Sequence, residues 1–151
     1  MNKDILLSQR NNGISWFYWI TGLSLINTLV NYSDGSYSFI VGLGYTQLID
    51  SIALGSRDSG SLIMATALFF ASLLVSGFFA LSGHMTEFDK RGWYLTAMIL
   101  YFIDIFIYFY LQDFVGIGFH IFALVYIYKG YIAHTELLKM SHKKSKNHTA
   151  K

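Results

Sequence analysis

Residues 61–82 read SLIMATALFFASLLVSGFFALS, an uninterrupted run without a charged side chain. A helix of about twenty residues, rising about 1.5 Å per residue, crosses a hydrocarbon core of about 30 Å. Eleven of these residues are Leu, Ile, Phe or Val, and each favours insertion by about 0.3 to 0.6 kcal/mol at the helix centre. The stretch reads as a membrane span. The whole chain agrees: of its 151 residues 54% are hydrophobic, 18% aromatic and only 13% charged. A mean hydropathy of +0.42 is too high for a soluble domain of this length.

Working outward, three more stretches read as spans, at 14–31, 93–111 and 114–133. A fifth, 37–54 (YSFIVGLGYTQLIDSIAL), is barely long enough and carries Gly42, Gly44, Gln47 and Asp50. Basic residues arbitrate, because short cytoplasmic flanks collect Lys and Arg. The tail over 134–151 holds Lys139, Lys143, Lys144, Lys146 and Lys151. With four spans, Lys3, Arg10, Lys90 and Arg91 fall on the same side as that tail, and Asp34, Arg57 and Asp113 on the other. A fifth crossing would put the N-terminal bases outside. The expectation is therefore an all-α, membrane-embedded four-helix bundle, one domain over 1–151, with an extra interfacial or re-entrant helix between spans one and two. Both termini are expected in the cytoplasm, under a bacterial inner membrane. Trp16, Tyr18, Trp19, Trp93, Tyr94, Tyr126, Tyr128 and Tyr131 then lie toward the inner boundary, where amphipathic rings prefer the headgroup layer. VNYSDGS after the first span lacks a small-x-small cleavage site, so an uncleaved anchor is expected.

The chemistry of the chain concentrates in residues 101–120, YFIDIFIYFYLQDFVGIGFH. Asp104 stands about eight residues before the Gln112/Asp113 turn and His120 about seven after it, which places both at one depth in an antiparallel hairpin. Tyr101, Asp104 and Tyr108 share a helical stripe with Ala97, and Gly116, His120, Ala123, Ile127 and Gly130 form a facing stripe with small residues. A lone Asp in hydrocarbon costs about 2.5 to 3.5 kcal/mol, which a partner relieves. The pair is expected to meet, either as a hydrogen bond fixing helix register or as a proton relay or polar binding site.

A second polar face lies in GLGYTQLID (42–50), where Thr46, Gln47 and Asp50 share one side of a helix. It is expected either to line a polar cavity as a re-entrant element or to look at water from an interfacial helix, with Asp50 reachable from the outer side. Thr21, Ser24, Asn27, Thr28 and Asn31 on the first span read as interhelical glue, and Ser72, Ser76 and Ala80 as a packing seam.

Other classes find little support. The absence of cysteine excludes thiolate metal sites and cysteine nucleophiles, and no serine-hydrolase or zinc-protease motif is present. His84 and Glu87 could face together, yet two candidates in a charged turn make a weak metal site; no cofactor is expected. The lysine-rich tail reads as a segment resting on anionic lipid, and a net charge of +2 argues against nucleic acid. The partners expected in kind are the bilayer itself, a second copy or another membrane protein.

WFYWITGLSLIN (16–27), GLGYTQLID (42–50) and residues 101–130 together resemble a group of small bacterial integral membrane proteins that carry no assigned activity. The resemblance implies location and fold without implying a reaction. The functional expectation is a non-enzymatic packing or accessory protein. The alternative is a proton-coupled small-solute transporter or channel subunit using Asp104 and His120, and a weaker one an intramembrane enzyme.

Overall fold

The computed structural model describes residues 2–33 and 42–149, with side chains as far as residue 143. Among them the structure is helical throughout: α1 (Lys3–Tyr32), α2 (Gly44–Asp58), α3 (Leu62–Glu87), α4 (Arg91–Tyr110) and α5 (Phe114–Thr149).

The helix ends follow local chemistry. Asn2 caps α1 by accepting the Asp4 N–H at 3.2 Å. Gly60, at φ +84°, turns the chain between α2 and α3, and Asp89, at φ +60°, ends α3. The α4–α5 turn uses Gln112 at φ +57° followed by Asp113, whose Oδ1 accepts the N–H groups of Val115 and Gly116 at 3.1 and 2.9 Å. Such an aspartate is a favourable N-cap.

α3, α4 and α5 (over Phe114–Lys143) are long and apolar enough to cross a membrane. α1 has the length, at 30 residues, but Thr21, Ser24, Asn27 and Thr28 dilute its apolar content. The distribution of side chains is that of a protein in oil. Ile63 (88% exposed), Leu74 (76%) and Phe114 (76%) face outward, while Thr21, Ser24, Asn27, Thr28, Ser72, Ser76, Asp104 and His120 are buried. Water would select the reverse arrangement.

α1 lies along α3 and α5, and α4 lies along the same two, while the backbones of the diagonal pairs stay apart. Phe17 and Tyr94 bridge one diagonal, ring centroids 5.1 Å apart. α2 packs on α3 and touches α1 and α4. α1 and α5 cross closely at Gly13 and Gly130, where a Cβ on Gly13 would lie 2.8 Å from the Gly130 Cα and overlap the Tyr94 hydroxyl.

Several expected boundaries shift. α1 begins at residue 3 rather than 14 because Asn2 and Asp4 supply a cap and a first-turn acid. α5 continues through the basic tail to Thr149; no Gly or Pro follows Gly130 to stop it, and Lys139 pairs with Glu136 one turn away at 2.7 Å. The short helix expected over 37–54 occupies Gly44–Asp58 instead, running on to the turn at Gly60. Residues 34–41, including Asp34 and the expected start of that helix, lie outside the described residues. Tyr94 turns into the helix cluster. Its ring is fully buried, and its hydroxyl donates to the Ile127 carbonyl at 2.8 Å, a bond available only inside the helix cluster.

Candidate functional site: a carboxylate at the buried start of a helix

The first turn of α2 needs acceptors for its leading amides. Its N-cap residue, Leu43, has no side chain that could serve, and the segment is surrounded by other helices. Two distant residues fill the role. Ser24 Oγ on α1 accepts the Leu43 N–H at 2.9 Å. Asp104 on α4 accepts the Gly44 N–H on Oδ2 at 2.7 Å and the Tyr45 N–H on Oδ1 at 2.9 Å. A carboxylate at a helix N-terminus also meets the positive end of the helix dipole.

His120 completes the arrangement. Its Nε2 lies 2.9 Å from Asp104 Oδ2 and its Nδ1 lies 2.9 Å from the Gly116 carbonyl oxygen, and both side chains are wholly buried. The Gly116 carbonyl can only accept, so Nδ1 carries a hydrogen. The Nε2 to Oδ2 contact then requires a second proton, held either by the imidazole or by the acid. In both forms the pair is electrically neutral as a whole, which suits a site removed from water.

Two tyrosines flank the imidazole. Tyr101 stacks on it at 4.3 Å between centroids with an interplanar angle of 18°, and Tyr108 lies against it at 4.5 Å. Their hydroxyls differ. Tyr108 donates to the Gly42 carbonyl at 3.0 Å and accepts from Gln47 Nε2 at 2.8 Å. The buried Tyr101 hydroxyl has no hydrogen-bond partner among the described residues. Gly116 leaves room for the Tyr108 ring, which a Cβ there would overlap.

Asp104, His120, Tyr101 and Tyr108 are thus brought together. Thr46, Gln47 and Asp50 are not. Gln47 turns toward Tyr108, and Thr46 bonds back to the Leu43 carbonyl at 2.8 Å. Asp50 faces neither lipid nor open water: it is 3% exposed and accepts from Thr28 Oγ1 at 2.8 Å and Ser72 Oγ at 2.6 Å. Of the two expectations for that face, open water is corrected for Asp50, because α2 is wedged between neighbours and Thr46, Gln47 and Asp50 each find their own partner. Asp50 does line a cavity of about 20 Å³ with Thr28, Asn31 and Arg57, a space that fits about one water molecule.

Sequence reading missed the backbone of α2 as the second partner of Asp104. The available signal was Leu43 itself. A buried helix whose preceding residue cannot cap must borrow an acceptor from elsewhere.

Among the described residues no group of three or more His, Asp or Glu side chains could hold a metal. His84 and Glu87 approach to 3.9 Å, both about half exposed. No protein-family model, no curated protein and no solved structure matches the chain.

Proposed function

We propose that the chain is a multi-pass protein of the bacterial inner membrane, a four-helix bundle of α1, α3, α4 and α5 with both termini cytoplasmic. α2 is its re-entrant half-helix, and the protein acts as a non-enzymatic packing or accessory component that associates with itself or with a membrane partner. α1 serves as the fourth span because Thr21, Ser24, Asn27 and Thr28 turn inward while Trp19, Ile26 and Leu29 face out. α2, at 15 residues, extends about 22 Å and is too short to cross. Its start lies at the depth of Asp104, about 9 Å below the outer end of α4.

The observation that carries the packing role is the saturation of Asp104. Both oxygens are engaged, by two backbone amides and an imidazole, an arrangement that holds α2, α4 and α5 in register. Two measurements test the reading. Impermeant labelling of single cysteines at positions 3, 90 and 57 is expected to mark 3 and 90 from one side and 57 from the other; marking 3 and 90 from opposite sides overturns the topology. Proteoliposomes of the wild type are expected to leak protons no faster than empty ones.

One observation favours the second reading, a proton-coupled transporter or channel subunit. A half-helix ends inside the membrane against a pair that shares a proton, the layout in which broken helices build ion sites. That reading requires wild-type proton flux which Asp104→Asn abolishes while the protein stays folded.

A further inference from the structure

The outer surface between α1 and α5 carries a groove of about 340 Å³ that the buried site does not use. Its lining changes character along its length. Asn12 and Ser15 stand at one end, Trp16, Trp19 and Tyr126 in the middle, and Leu23 at the other. Trp16 is fixed from behind by edge contacts with Phe119 and Phe122 at 5.8 and 5.6 Å, whereas Trp19 is 66% exposed. From Asn12 to Leu23 the helix rises about 16 Å, which is the depth of one leaflet of a core about 30 Å thick.

A base stands beside the groove. The antiparallel crossing of Gly13 and Gly130 puts Lys129 within about 3 Å of the height of Asn12, and the exposed Lys129 lies over the Tyr126 ring with Nζ 5.9 Å from its centroid. Lys129 lies inside the apolar stretch Phe114–Lys143. A lysine so placed lays its stem along apolar surface and sends its ammonium toward the headgroups.

We propose that this groove seats one phospholipid with an anionic headgroup, its phosphate on Lys129 and the Asn12 amide, and one acyl chain along Trp16, Trp19 and Leu23. Assignment to the inner leaflet rests on the topology proposed above; the seat itself does not. A second copy is the poorer occupant, because a two-fold axis along the membrane normal would bring Lys129 against its own counterpart.

The test uses the full chain in nanodiscs, with Trp93→Phe as background so that Trp16 and Trp19 report alone. Bilayers of phosphatidylcholine are doped with phosphatidylglycerol or phosphatidylcholine carrying brominated chains, and tryptophan quenching is read against dopant. The anionic dopant is expected to compete about five-fold more effectively, the effect of one lysine beside a charged headgroup. Lys129→Gln should equalise the two dopants, while Lys139→Gln should leave the preference intact. Equal quenching in the starting protein overturns the proposal, as does a preference that survives Lys129→Gln. Absence of quenching by either dopant would mean that another protein surface covers the groove, and overturns it too. A reversed topology would move the lipid to the other leaflet and leave the preference standing, so the two failures are separable.

Discussion

The carboxylate of Asp104 accepts the backbone N–H of Gly44 at 2.7 Å across 60 residues of sequence, and so caps a helix to which it does not belong. With Ser24 it accounts for the Leu43, Gly44 and Tyr45 amides. In hydrocarbon each such group left alone costs several kcal/mol.

Asp104→Leu should therefore strand two amides and the His120 ring together, lowering stability by about 3 kcal/mol or more. Asp104→Asn offers a single oxygen and a donor that opposes one of the amides, so a loss of about 1 to 3 kcal/mol is expected rather than tolerance. Thermal unfolding in detergent measures both. Amide exchange at Gly44 and Tyr45 should accelerate in both variants, and unchanged exchange would refute the capping role.

The two tyrosines on His120 should respond in opposite ways. Tyr101→Phe removes a buried hydroxyl without a partner among the described residues and is expected to be neutral or mildly stabilising. Tyr108→Phe removes the bonds to Gly42 and Gln47 and should cost about 1 to 3 kcal/mol. Equal effects in a melting comparison would contradict this assignment.

Glycines should divide by their surroundings. Gly13→Ala places a methyl against the Gly130 backbone and the Tyr94 hydroxyl, which forces α1 and α5 apart and should impair folding by about 1 to 3 kcal/mol. Gly77→Ala meets nothing within 4 Å and should gain up to about 1 kcal/mol from helix propensity. Denaturation midpoints of the two variants on opposite sides of the wild type are the expected result.

Thr28 and Ser72 hold the same carboxylate, so their substitutions should couple. Thr28→Val or Ser72→Ala alone should cost about 1 kcal/mol, removing one of the two hydroxyls on Asp50. The double variant should cost more than the sum, because the carboxylate then loses both hydroxyls. Simple additivity in a double-mutant cycle would count against a shared role.

The depth match of Asp104 and His120 was legible because a two-residue turn and a fixed rise per residue determine height along paired helices. The partners of Asp50 were not. Thr28 and Ser72 each sit in seams readable as polar packing, but which seam meets which acid depends on how far α2 sinks between α1 and α3. The inward turn of Tyr94 was hidden for a similar reason: an aromatic near a span end suits a headgroup layer or a helix crossing equally, and Gly13 and Gly130 decide only when their helices meet.

Of the four stretches that read as spans, the sequence by itself determined that those at 61–82, 93–111 and 114–133 would form long apolar helices. Hydropathy, periodicity and rise are properties of a continuous segment, so they can be read one stretch at a time. Only the tertiary structure decided where α2 begins, that Asp104 caps it, and that Thr46, Gln47 and Asp50 part company. Those features depend on unpaired polar groups seeking partners inside an apolar surrounding, and the partners come from helices far apart in the chain.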